Sequence, residues 1–358
     1  MMRMSRLRAM PSMTALWALV LAAALLPPVA RADAAPDSTR AAFLKVIERP
    51  KAPLAPELRE LPAVDGFRKF HFWFNADTTE RVPGYLLLPD AARFKGRRPA
   101  VIVLHGTGGN KEGGEVVNLA VKLARAGFVA VAIDGRFHGE RTHAGTGSAE
   151  YNVAITRAFV TGEGHPFYYD TVWDVMRLVD YLTTRNDVDA ARIGLTGISK
   201  GGIETYLAAA ADPRIAAAVP YIGVQSFAWA LDNGQWKARI ATIQGGFDAA
   251  AASAGKSPGS VDFVRQFYAR VVPGIDGPFD GPAMLAAIAP RPLLVVNGDS
   301  DANTPVAGVR LAIAAARPHY AGSNADRLVL MIQENTPHRV NPESFDAGVA
   351  WFIRWLAP

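Results

Sequence analysis

The chain has 358 residues, half of them apolar and a fifth charged, with a formal charge of +5 and no cysteine. This composition fits an ordinary globular protein with a substantial core and excludes a disulfide-stapled scaffold. The positive charge gives no ground for a nucleic-acid partner, because residues 1–32 hold four arginines and no acid, which leaves the remainder at +1.

Those first residues have their own pattern. Arg3, Arg6 and Arg8 precede an apolar run over 14–26, which is followed by "PPVARADAAP" with the small pair Ala30 and Ala32. A basic start, a short apolar stretch and a small-residue site predict a secretory signal peptide over 1–32. The run is shorter than the ~20 apolar residues of a spanning helix, so no stable membrane insertion is expected after cleavage. The expected location is the periplasm or the medium.

Residues 33–66, rich in Pro and Ala, read as an N-terminal arm with one short helix. "FRKFHFWF" (67–74) and "GYLLLP" (84–89) predict a β-hairpin pair. "PAVIVLHG" (99–106) and "FVAVAIDG" (128–135) are continuous apolar runs, as buried central strands should be, with a helix over 114–127 between them. A helix over 168–185 leads to the strand "RIGLTG" (192–197), the helix "GGIETYLAAAA" (201–211) and the strand "IAAAVPYI" (215–222). The strand "RPLLVVNG" (291–298), a helix over 305–316, the strand "RLVLMIQ" (327–333) and a helix over 344–356 complete the series. Strands alternating with helices at this rhythm predict an α/β fold with a mostly parallel, doubly wound sheet and helices on both faces. The opening hairpin suggests an antiparallel edge. Residues 224–287 break the rhythm and read as a helical lid insertion.

Gly197-Ile198-Ser199-Lys200-Gly201 matches Gly-x-Ser-x-Gly between a buried strand and a helix. That context predicts a sharp turn with an exposed serine Oγ, where flanking glycines relieve crowding between strand and helix. In a fold of this order the acid and then the histidine follow the serine. Two histidines lie beyond Ser199. His319 closes a helix, whereas His338 follows the last strand on a loop able to reach the serine. The acid should follow "RPLLVVNG", where "GDSDANTP" offers Asp299 and Asp301; Asp301 is taken as the partner of His338 and Asp299 as a turn cap. An oxyanion hole needs backbone N–H donors. Lys200 supplies one and the loop "HGTGGN" (105–110) the other, from Thr107 or, second, Gly106. His105 is expected to fix that loop, Asp134 and Arg136 to order the loop behind the site as a pair, and the Lys200 side chain to be solvated. Among the insertion's aromatics, most are expected to pack the lid, with Trp229 the candidate for substrate binding. His138, Glu140 and His143 in "FHGERTH" lack metal-ligand spacing, so no metal is expected.

The elbow "GISKGG", the loop "HGTGGN", the segment "IDGRFHGER", the acid loop "GDSDANTP" and the terminal "PHRVNPE" occur in one order over residues 67–358. In this the chain resembles the α/β-hydrolase superfamily, in its dienelactone hydrolase and acetyl-xylan-esterase-like branch. The resemblance implies a cofactor-free serine hydrolase whose partner is a small-molecule or polymer-linked ester. Dienelactone hydrolase uses a cysteine nucleophile, and the serine here favours an esterase. Two other readings are a peptidase of the prolyl-oligopeptidase type lacking its propeller, and a non-catalytic binding protein on the same scaffold.

Overall fold

The computed structural model describes residues 35–143 and 147–357; the expected signal peptide over 1–32 lies outside them. The described chain runs α1 (Pro36–Ile47), β1 (Glu57–Val64), β2 (Phe67–Asn75), β3 (Arg81–Leu88), β4 (Arg98–Leu104), α2 (Gly114–Arg125), β5 (Val129–Ile133), α3 (Ala149–Thr161), α4 (Tyr169–Thr184) and β6 (Val188–Ile198). It continues with α5 (Lys200–Ala211), β7 (Ile215–Tyr221), α6 (Phe227–Asp232), α7 (Lys237–Ala241), α8 (Gln244–Ser253), α9 (Val261–Val271) and α10 (Gly281–Ile288). β8 (Leu293–Gly298), α11 (Val306–Ala316), β9 (Leu328–Gln333) and α12 (Pro342–Leu356) close it.

The strands form one sheet in the order β1-β2-β3-β5-β4-β6-β7-β8-β9. β1 to β3 and the β3–β5 pair are antiparallel, and from β5 through β9 the pairing is parallel. The central strands are buried on both faces, which is why they read as unbroken apolar runs. On one face α1, α4, α5, α10 and α11 bury Phe43, Val172, Ile203, Leu285 and Val309. On the other, α2 and α12 bury Leu119, Leu123, Trp351 and Phe352. This is the doubly wound α/β-hydrolase architecture.

Three segments differ from expectation. Residues 57–64, placed in the arm, form β1. Its residues are mostly exposed, because an edge strand beyond the helical layers has no apolar face to advertise. Residues 149–161, taken as loop, form α3, which buries Tyr151, Ile155 and Phe159 at helical spacing and packs on α8 and α9. The segment 224–287 contains α6 to α10, but α10 lies against α1, α5 and α11 as the crossover helix between β7 and β8. The added helical layer is therefore α6 to α9 together with α3.

Candidate active site

β6 ends at Ile198 and α5 begins at Lys200, so Ser199 alone makes the turn, at φ +57° and ψ −112°. A non-glycine residue in this region costs about 1–3 kcal/mol and persists only where its surroundings impose it. Here they do. A Cβ on Gly197 would lie 2.4 Å from the Gly201 carbonyl oxygen, and one on Gly201 2.5 Å from that of Leu104. Strand β4, strand β6 and the first turn of α5 thus touch backbone to backbone. The Ser199 N–H donates to the Tyr221 carbonyl at 2.9 Å, which ties the turn to the end of β7.

The Ser199 hydroxyl faces His338 Nε2 at 2.7 Å, and His338 Nδ1 faces Asp301 Oδ2 at 2.7 Å. Asp301 also accepts from the N–H groups of Asn303 and Thr304, at 2.8 and 3.2 Å, and from the Thr304 hydroxyl at 2.7 Å. Burial opposes its ionisation, yet the His338 bond and these donors outweigh burial and hold its carboxyl below the usual range. An ionised carboxylate only accepts, so Nδ1 carries the imidazole proton and Nε2 is left to accept from the Ser199 hydroxyl. Asp301 is fully enclosed, while a quarter of the His338 side chain stays open.

Asp299 has the other task. Its carboxylate accepts from the N–H groups of Asn335 and Thr336, at 2.8 and 3.0 Å, and so braces the turn that carries His338. His319 sits apart, in a short 3₁₀ turn over Arg317–Tyr320.

The loop 105–110 stands beside the serine: a Cβ on Gly106 would lie 3.6 Å from Ser199 Cβ. The Gly106 carbonyl accepts from the Gly109 N–H at 3.1 Å and from His105 Nδ1 at 2.7 Å. A trans peptide is planar, so fixing that carbonyl also fixes the Thr107 N–H on the opposite side. His105 Nε2 accepts from the Gly135 N–H at 2.9 Å, which sets the tautomer. Burial and the neighbouring Lys200 push His105 down to about 3, so it is neutral. Among the described residues, nothing in the protein accepts from the N–H groups of Thr107 or Lys200.

Asp134 and Arg136 both order the loop after β5, but not as a pair. Asp134 accepts from the Lys111 N–H at 2.8 Å and meets its ammonium at 2.7 Å. Arg136 binds Asp174 at 3.0 Å and Asp77 at 2.9 Å. Each partner is remote in sequence. The metal-like segment does not converge either: His138 is buried against the Arg136 carbonyl, and Glu140 meets Lys111 at 2.5 Å.

The Lys200 side chain is not solvated. It is 1% exposed and meets Glu204, equally buried, at 2.6 Å. Burial pushes Glu204 up to about 7 against the opposing pull of Lys200. The signal available in the sequence was their i, i+4 spacing on one helix. Trp229 is half-buried, with its ring edge against Gly308 at the start of α11. The insertion's other aromatics pack together, as in the Phe247–Phe267 and Phe227–Tyr268 ring pairs at 5.1 and 5.7 Å. Arg239 on α7, fully buried, donates to the Asn303 carbonyl at 3.1 Å and ties this layer to the loop of Asp301.

The family model for acetyl xylan esterase (AXE1) matches residues 44–237, more than half of the chain. The chain belongs to the acetyl xylan esterase family. It is a carboxylic ester hydrolase of the α/β-hydrolase superfamily. A model for fungal glucuronyl esterase matches residues 166–322. The protein YtaP of Bacillus subtilis (strain 168) is 24% identical over 288 residues, 77% of this chain and 84% of YtaP. The same fold occurs in the acetyl xylan esterase from Paenibacillus sp. R4 (TM-score 0.64, 19% identity, 90% of this chain and 93% of that one). It occurs again in a glucuronoyl esterase from Solibacter usitatus (TM-score 0.58, 17% identity, 87% and 91%).

Proposed function

We propose that this esterase is an exported serine hydrolase that removes short acyl groups from carbohydrate esters through an acyl-enzyme. Ser199 is the nucleophile, His338 the general base and acid, and Asp301 the group that orients and stabilises the imidazolium. The observation that carries the reading is the relay from Ser199 Oγ through His338 to Asp301, each step 2.7 Å. Family membership supports an acetylated polysaccharide as substrate, and the pattern of residues 1–32 supports export.

In this mechanism the serine oxygen attacks the acyl carbon while His338 Nε2 takes its proton. Asp301, ionised and closed off from water, stabilises the positive imidazole without taking the proton itself. The tetrahedral oxyanion accepts from the N–H groups of Lys200 and Thr107. One such donor is commonly worth about 10²–10³ in kcat. His338 then protonates the leaving sugar hydroxyl, and a water activated by the same imidazole releases the acid.

The test uses chain 33–358, assayed on p-nitrophenyl acetate, longer p-nitrophenyl esters and acetylated xylan, beside Ser199→Ala. Turnover that favours acetyl, disappears in the variant and accompanies fluorophosphonate labelling of Ser199 is the expected result. Turnover retained by Ser199→Ala would overturn the assignment of the nucleophile.

A further inference from the structure

The mechanism above uses the backbone of Lys200 and gives its side chain no task. That side chain is nevertheless buried with its charge, against a buried carboxylate at 2.6 Å. An ion pair taken out of water gains little stability, because desolvation offsets the attraction, and apolar residues of similar volume serve as well or better. Stability alone therefore does not account for a Lys–Glu pair inside the elbow helix.

The position of the ammonium does. A Cβ on Gly135 would lie 2.8 Å from Lys200 Nζ, 3.3 Å from Thr171 Oγ1 and 3.4 Å from His105 Nε2. The ammonium therefore rests on the space that glycine leaves open, beside the imidazole. From Gly135 a chain of bonds runs to the oxyanion loop: its N–H donates to His105 Nε2, and His105 Nδ1–H donates to the Gly106 carbonyl. That carbonyl shares a peptide plane with the Thr107 N–H. One buried contact thus links the Lys200 side chain on the elbow to the bonds that hold the loop's proposed donor. We propose that the Lys200 side chain, held by Glu204, is a positioning residue that sets the spacing between the Lys200 and Thr107 N–H groups by bearing on Gly135 and His105. The inference rests on the reading of those two groups as the oxyanion hole. Charge acts in the same direction. With Asp134, Lys111 and His138 also facing His105, burial and then the Lys200 ammonium are the leading causes that keep the imidazole neutral, so Nε2 continues to accept from Gly135.

The decisive variant is K200M/E204M, which removes both charges, roughly conserves volume and keeps the Lys200 backbone N–H. We expect an unchanged or higher Tm, kcat on p-nitrophenyl acetate lowered by about 10- to 100-fold, and KM within about threefold, as a misplaced donor should produce. Gly135→Ala keeps both charges but crowds the ammonium, and should lower kcat in the same way; it carries the test if the double variant does not fold. A folded double variant, or Gly135→Ala, with wild-type kcat overturns the inference, as does a loss confined to KM. A wild type that neither turns over esters nor labels at Ser199 instead removes the underlying reading, and the inference with it.

Discussion

Two buried aspartates hold opposite ends of the segment between β7 and the loop after β8, and their environments drive them apart. Asp280 accepts four bonds: from the Ser226 hydroxyl at 2.7 Å and from the N–H groups of Phe227, Ala228 and Gly281 at 2.7, 3.2 and 2.7 Å. It caps α6 and α10 together, and so fixes both where the added helical layer leaves the sheet and where the chain returns. Burial nonetheless pushes it up to about 6. Asp301, equally enclosed, is held below the usual carboxylate range. The difference is His338, a partner able to carry positive charge. Neutral donors orient a buried carboxylate, and a potential cation keeps it ionised.

Asp301→Asn should sharpen this contrast most. An amide facing His338 Nδ1 favours the wrong tautomer, and kcat should fall by about 10⁴; a loss under tenfold would strip Asp301 of its role. Asp280→Asn should do the reverse, lowering stability by about 1–3 kcal/mol in a denaturant titration while kcat stays within a few-fold. The same variant tests the titration. The unfolded chain releases this proton near the ordinary carboxylate value and the native chain near 6, so between about pH 4 and 6 the native state binds more protons. Wild-type stability should therefore decline relative to Asp280→Asn as pH rises across that window. Asp301, with its lowered value, contributes stability that is present above the ordinary carboxylate pKa and is lost only as pH falls through its own. The smallest effect belongs to Asp299→Ala, which removes two bonds from the turn before His338; kcat should fall only a few-fold, and an unchanged value would make the brace dispensable.

Much of the site could be read from the chain because its requirements are local. Gly197, Ser199 and Gly201 lie within five residues, and the crowding that demands them comes from the strand and helix on either side. The order of Ser199, Asp301 and His338 follows from where β6, β8 and β9 end. Long-range pairing left no such mark. Asp134 meets Lys111 and Arg136 meets Asp174, contacts made by folding between segments with no shared pattern. β1 could not be read because an exposed edge carries no periodic apolar signal. α3 did carry one, in Tyr151, Ile155 and Phe159, but its burial partners lie a hundred residues onward in α8 and α9.

The layer formed by α6 to α9 enters the fold between β7 and β8, after the elbow and before the loops of Asp301 and His338. Among its ties to the rest of the fold are Asp280 at the hinge and Arg239, which reaches the Asn303 carbonyl beside Asp301. β6, β8 and β9, which carry Ser199, Asp301 and His338 at or just beyond their ends, lie outside this stretch of chain. Ser199, Asp301 and His338 and the added helices thus occupy separate stretches of polypeptide, so a change of length within that layer leaves the order of the three residues intact.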